Sequence, residues 1–256
     1  MLTKDRLDQP WPRSNTVDPG EIARFTALAE EWWNPAGRFR VMHRFNPVRR
    51  DYIVEEIARH FRRDTTDAAC FTGLRILDVG CGAGLLCEPL AEHSAAVTGI
   101  DATARNIEIA RWHAAERDLA IDYRHCLAEH LVETGERFDV VLNTEVVEHV
   151  ADPEKLMSQC CDLVSPGGIL IVATLNRTLR AFLLAIVGAE YVLRWLPKGT
   201  HDWRRFLRPG EVRAMIGRNG LHTGEVIGVT FNPIANRWRL SNDLSVNYML
   251  LATKEA

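Results

Sequence analysis

Three glycines at alternate positions, Gly80, Gly82 and Gly84, follow the apolar run Ile76-Leu77-Asp78-Val79. Glycines between a strand and a helix let the backbone turn tightly and approach a ligand closely. The helix N-terminus behind them offers free N–H groups to a polar or anionic group. Asp101 lies 17 residues after Gly84, at the expected end of the next strand. A carboxylate there accepts both hydroxyls of a ribose. A dinucleotide fingerprint requires G-x-G-x-x-G, and its last glycine position is Leu85 here. The pattern is instead D-x-G-x-G-x-G. Asp78 suits a cationic amino group and would repel a pyrophosphate.

A second chemical cluster is Thr144-Glu145-Val146-Val147-Glu148-His149. Read as a helix, Glu145, Glu148 and His149 stand at i, i+3 and i+4 and share one face. Two carboxylates and an imidazole converging there suit a divalent cation such as Mg²⁺. The same residues also suit a proton-accepting or positioning role, or plain packing. His201 is a second candidate proton acceptor, ranked below His149.

A third segment stands out for its apolarity. On a helical wheel of Leu179–Leu196, the charges Glu190, Arg194 and Arg180 fall in one narrow sector. Such a helix is buried, covers a hydrophobic ligand, or dips into a bilayer surface. Around it, Arg177, Arg180, Arg194, Lys198, Arg204, Arg205 and Arg208 stand against only Glu190 and Asp202. Basic residues flanking an apolar helix fit an anionic membrane surface. The alternative is a packed lid with solvated charges.

These groups need a scaffold, and the rest of the chain supplies an ordinary one. It has 256 residues, 46% hydrophobic and 25% charged, with a formal net charge of −3. That excludes a disordered or fibrous protein and argues against a dedicated nucleic-acid binder. The six cysteines form no C-x-x-C and read as free thiols. The first 18 residues have no apolar signal region, and no uncharged apolar run reaches the ~20 residues of a span. The expected location is cytoplasmic, with peripheral association with the cytoplasmic membrane.

Residues 1–17 are expected to be mobile. Residues 18–72 read as a helical extension, with Asp18 capping a helix that carries Ile22, Phe25, Ala29, Trp32 and Trp33. A second helix is expected after Asn46-Pro47. Residues 73–256 read as one α/β domain with an insertion at 176–208. Its strands are expected at Arg75–Val79, Ala96–Ile100, Ile121–His125, Phe138–Leu142, Ile169–Ala173, His222–Phe231 and Val246–Ala252. Helices are expected at Leu85–Ala91, Thr103–Glu116, Pro153–Val164 and Pro209–Asn219, and a turn at Ser165–Gly168. Buried strands alternating with helices predict a seven-stranded, mostly parallel sheet covered on both faces.

The glycine loop, Phe138-Asp139-Val140-Val141 and Leu163-Val164-Ser165-Pro166-Gly167-Gly168 together resemble class I S-adenosylmethionine (SAM) methyltransferases, whose fold is Rossmann-like. Further segments extend the likeness. They include His43-Arg44-Phe45-Asn46-Pro47-Val48-Arg49, Thr174-Leu175-Asn176-Arg177, Pro197-Lys198-Gly199-Thr200-His201-Asp202, Phe231-Asn232-Pro233 and Val246-Asn247-Tyr248-Met249-Leu250. From residue 16 to the C-terminus the chain resembles the ubiquinone-biosynthesis O-methyltransferases, bacterial and mitochondrial. The resemblance implies methylation of phenolic hydroxyls on polyprenyl catechols and demethylubiquinol. It implies SAM contacts at Arg49, Gly80, Asp101 and Thr144, where relatives commonly carry Met at the last; Asp78, Gly82 and Gly84 of the loop complete the expected SAM-binding set. It implies catalytic or Mg²⁺-binding roles for Glu145, Glu148 and His149. The expected partners are an anionic membrane surface, a ubiquinone-biosynthesis complex and no nucleic acid. The rival readings are a C-methyltransferase on a quinone ring or another small-molecule methyltransferase, a NAD-dependent dehydrogenase, and a lipid-binding scaffold that kept the SAM pocket.

Overall fold

The computed structural model describes residues 16–182, 202–232, 235 and 237–256. Strands β1 (Arg75–Val79), β2 (Ala96–Asp101), β3 (Asp122–His125), β4 (Phe138–Thr144) and β5 (Val164–Leu175) run parallel. Strands β6 (Leu221–Asn232), β7 (Arg237–Ser241) and β8 (Asn247–Lys254) complete one sheet in the order β3-β2-β1-β4-β5-β8-β6-β7. β8 is antiparallel to both β5 and β6, and β7 is antiparallel to β6. The carboxyl ends of β1–β6 and the amino ends of β7 and β8 therefore share one edge.

Successive strand residues point to opposite faces, and the sheet uses both. Ile76, Val140, Leu142, Ile169 and Ile171 pack with helices α2 (Arg40–Phe61), α3 (Cys87–Glu92) and α4 (Ala104–Glu116). Leu77, Val141, Leu170 and Val172 pack on the other face with α5 (Ala128–Glu133), α6 (Pro153–Leu163) and α8 (Pro209–Arg218). The six cysteines are free and buried.

Helix α1 (Pro19–Leu28) begins where the sequence places it, with Asp18 Oδ1 accepting from the Gly20 and Glu21 amides. It passes into a 3-10 turn at Ala29–Glu31. Trp32 stacks on Phe39 at 4.1 Å and closes a small cluster with Leu28 and Ala83.

Several expectations are corrected. α2 starts at Arg40, ahead of Pro47, and keeps that proline inside. Proline forfeits only the bond to His43, and buried Phe45, Tyr52, Ile53 and Ile57 hold the helix on both sides of it. An eighth strand, β7, was not expected. Its Arg-Trp-Arg-Leu-Ser sequence is polar because it is an exposed edge strand. The Ser165–Gly168 turn is absorbed into β5, with Gly167 in the left-handed region and a register shift against β4. At the end of the segment 1–17, Thr16 is buried and its carbonyl accepts from the Ala151 amide at 2.9 Å. Residues 1–15 lie outside the described residues.

Of the expected helix Leu179–Leu196, only its first turn, α7 (Leu179–Ala181), falls among the residues described, capped by Thr178. The rest of it, with His201, lies outside them. No helix of the described residues is long and apolar enough to cross a membrane.

Candidate active site

A cavity of about 720 Å³ runs along the shared strand edge. It begins at Asp101 and Cys126, passes the glycine loop, Thr144, Glu145 and His149, and ends at Val229, Phe231 and Trp238. Ligands in such sheets bind outside the carboxyl ends of the strands, and this cavity lies there.

The loop after β1 bends back under β2, since the Gly80 and Cys81 amides both donate to the Ile100 carbonyl at 2.8 and 2.9 Å. Gly80 and Gly82 have φ of +74° and +55°. A Cβ on Gly80 would lie 2.4 Å from Val146 Cγ2, and one on Gly82 2.7 Å from Trp32 Cζ2. Both positions therefore exclude a side chain on two counts.

Asp101 ends β2 and is tied to the loop. Its Oδ2 accepts from the Gly82 amide at 3.0 Å, and its Oδ1 from the Thr103 amide at 2.7 Å and Asn106 Nδ2 at 3.2 Å. Burial raises its pKa above the ordinary carboxylate value, and these bonds oppose the rise. Asn106 Oδ1 in turn accepts from Trp32 Nε1 at 3.0 Å, so the N-terminal extension braces the carboxylate. Trp33 does the same for the loop: its Nε1 donates to the Ala83 carbonyl at 3.1 Å.

Asp78 is 2% exposed. Its Oδ2 accepts from Cys87 Sγ at 3.4 Å, while Oδ1 is buried without a hydrogen-bond partner. Burial pushes its pKa up to about 6, against the pull of Cys87 and Arg49. Arg49, on α2, is 3% exposed. It donates through Nη2 to Asn46 Oδ1, and its Nε and Nη1 are buried without a hydrogen-bond partner. Glu145 Oε1 lies 3.7 Å from Nη1. Burial lowers the Arg49 pKa, offset by the carboxylates around it. Unsatisfied buried groups of this kind are costly. An acceptor and a pair of donors left open on one cavity wall match the ammonium and carboxylate of an amino acid.

Thr144 and Glu145 line the cavity at the end of β4. Glu145 has φ of +58° and donates its amide to the Ala173 carbonyl at 2.8 Å. The segment is not an α-helix: only Val147–His149 forms a 3-10 turn. The i, i+3, i+4 face expected for Glu145, Glu148 and His149 is therefore absent. Glu148 is 3% exposed and is not among the residues lining the cavity; its Oε2 accepts from Thr174 Oγ1 at 2.9 Å and its Oε1 is buried without a hydrogen-bond partner. Burial, reinforced by the neighbouring Glu145 charge, drives its pKa well up. His149 lines the cavity and turns to α1, where Nδ1 lies 2.9 Å from Glu21 Oε2 and 3.3 Å from Arg24 Nη2. Phe25 packs edge-on against its ring. Among the described residues no three His, Cys, Asp or Glu side chains gather as a metal site.

Glu21, in the first turn of α1, carries no site role in the sequence reading. That reading also missed the braces Trp32, Trp33 and Asn106. The consecutive tryptophans at the end of an amphipathic helix were the available signal.

Residues 49–223 match the family described as "Methyltransferase domain". The ubiquinone biosynthesis O-methyltransferase of Mesorhizobium japonicum is 56% identical over 245 residues, covering 96% of this chain and 98% of that protein. The protein of the same name from Chelativorans sp. is 55% identical, covering 96% and 97%. Among solved structures, magnesium protoporphyrin IX methyltransferase from Synechocystis with bound SAM superposes with a TM-score of 0.60 at 17% identity. That match covers 94% of this chain and 100% of the other, and at such identity it shows the fold.

Proposed function

The chain belongs to the ubiquinone biosynthesis O-methyltransferases, and on that premise we propose that it methylates a phenolic oxygen of a polyprenylated catechol or quinol, using SAM. The observation that carries the SAM site is the open Asp78 Oδ1 beside the open Arg49 donors, in line with Asp101 across the glycine loop. Arg49 holds the carboxylate of the methionine part and Asp78 its ammonium. Asp101 accepts the ribose hydroxyls with lone pairs its backbone donors leave over. Gly80, Gly82 and Gly84 give room for the backbone to approach, and Thr144 flanks the nucleoside.

When bound, SAM supplies a methyl group on a sulfonium centre, already electrophilic. The protein must orient the phenol and take its proton, since a phenol with pKa near 10 is scarcely ionised at neutral pH. His149 lines the cavity, and the Glu21 carboxylate at Nδ1 favours the tautomer whose acceptor nitrogen is Nε2. His149 therefore takes the phenolic proton, with Glu21 as its positioning residue. Glu145 lines the same cavity, with Oε1 3.7 Å from Arg49 Nη1. The set Glu145, Glu148 and His149 does not fit Mg²⁺ as it stands, because Glu148 turns inward to Thr174 and His149 to α1. No step above runs through a metal.

For the insertion 176–208 we propose contact with an anionic membrane surface. Leu179 is 71% exposed at its start, and Arg204, Arg205 and Arg208 stand at its return. Liposome binding that rises with anionic lipid and falls with salt supports this; no binding at any salt removes it.

The deciding experiment is methyl transfer from SAM to a short-tailed catechol, with the product read by mass spectrometry and with chelator and Mg²⁺ as separate arms. An O-methyl product supports the reading. A ring C-methyl product, or NADH binding in place of SAM, overturns it.

A further inference from the structure

The cavity is longer than the SAM site needs. The groups assigned to SAM sit at the ends of β1, β2 and β4, with Arg49 above them. The cavity continues past β5 and β8 to β6 and β7. At ~4.8 Å between strands, the step from β4 to β6 spans ~14 Å.

This arm differs in chemistry from the rest. Met42 and Phe45 of α2 face Val229 and Phe231 of β6 and Trp238 of β7 across it. Trp238 meets Phe45 edge-on at 5.4 Å between ring centroids and lies tilted against Phe231 at 5.3 Å. Its polar members are Thr230 and Asn247, and Asn247 Oδ1 is already used by the Val229 amide at 3.0 Å. Its charged members, Arg180 and Asp243, are paired with each other at 2.7 Å and partly exposed to solvent. The arm therefore has aromatic faces for branched aliphatic groups and little to hold a polar ligand.

We propose that this arm, walled by Phe45, Phe231 and Trp238, binds the first isoprenoid units of the substrate's tail and sets the preference for prenylated over tail-less substrates. The inference rests on the reading of the substrate as a polyprenylated catechol. The reacting oxygen must lie near His149 and the methyl donor, at β4. The tail must then leave the ring away from the SAM site, and the cavity extends from β4 in the direction of β6 and β7. Helix α2 borders both ends, with the Arg49 guanidinium over the Phe45 ring at 5.2 Å.

The test measures kcat/KM for catechols carrying no tail, one prenyl unit and a farnesyl chain, in wild type, Trp238→Ala, Trp238→Phe and Phe231→Ala. The ratio of farnesyl to tail-less kcat/KM falls at least tenfold in the two alanine variants, through KM, and Trp238→Phe recovers most of it. An unchanged ratio overturns the proposal, including the case where all substrates suffer alike. Should an alanine variant fail to fold by circular dichroism, Phe231→Leu and Trp238→Phe carry the comparison with a smaller expected fall. Calorimetry of farnesyl-catechol binding without turnover separates the two readings. Tail-dependent binding that the variants weaken tenfold supports the arm even if wild type methylates no catechol, an outcome that defeats only the O-methylation reading.

Discussion

At the nucleoside end of the cavity, Asp78, the glycine loop, Asp101, Thr103 and Asn106 come from one short stretch of chain, and Asp101 accepts from the Gly82 and Thr103 amides and from the Asn106 side chain. At the other end, Glu21, Phe45, His149, Phe231 and Trp238 come from separate segments, and the Glu21–His149 contact joins residues 128 apart. The first end is built largely within one strand–loop–helix unit, with Trp32 and Trp33 bracing it from outside. The second exists only once the N-terminal helices and the antiparallel strands have docked on that unit. Binding the methyl donor and choosing the acceptor are thus separable in the molecule, and variants can be chosen to break one without the other.

The largest separation is expected from His149→Ala. Loss of a general base costs about 10²–10⁴ in rate, so kcat falls in that range while calorimetric SAM affinity stays within a few-fold. A loss of SAM affinity as large as the loss of kcat would merge the two ends. Glu21→Gln acts through His149 and costs less, about tenfold in kcat, with the alkaline limb of the pH–rate profile unmoved and KM little changed. If Glu21→Gln alters KM alone, the contact positions substrate and not the imidazole.

The same division explains what the sequence disclosed. Asp78, Gly80, Gly82, Gly84 and Asp101 were legible because strand ends, left-handed glycines and an acid on the next strand are local signals. The parallel sheet was legible because neighbouring residues such as Ile76 and Leu77 must each enter a different core. The face expected for Glu145–His149 was not formed. Sequence spacing describes a helix only where the backbone makes one, and Glu145 takes a left-handed conformation that ends β4 abruptly. Strand β7 and the early start of α2 escaped because each depends on a partner: β7 on β6, and the first turns of α2 on Phe39 and Trp32.

A middle-sized effect is expected at the SAM site. Arg49→Met removes a buried charged donor and should weaken SAM binding by about 1.5–3 kcal/mol, ten- to a hundredfold. Asp101→Ala falls in the range of about 1–3 kcal/mol for unpaired hydroxyls. Both should leave the farnesyl to tail-less preference at its wild-type value. A changed preference in Arg49→Met would show that α2 transmits between the ends through Phe45.

The smallest and most diagnostic effect concerns pH. Burial holds the Asp78 pKa at about 6, above its ordinary value of 3.8. The SAM ammonium requires the ionised carboxylate, so SAM affinity falls only about twofold from pH 7 to 6. Below that it falls by up to about tenfold per pH unit. Between pH 5 and 7 the α-amino group of SAM stays protonated, so the ligand adds no slope of its own. Stability without SAM runs the other way. A folded pKa above the unfolded one means the folded state binds more protons, so this group's contribution is full below pH 3.8 and lost as pH rises through 6. The loss is about 3 kcal/mol at most. Ligand-free protein should therefore gain thermal stability, from this group, as pH falls from 7 towards 5, while its SAM affinity declines. Asp78→Asn should flatten both curves and bind SAM weakly at every pH. Calorimetric SAM binding and melting curves across pH 5–7 read the two slopes in one protein. A wild-type SAM affinity that stays constant to pH 5 would mean Asp78 does not meet the ammonium, and the open acceptor on the cavity wall would need another partner.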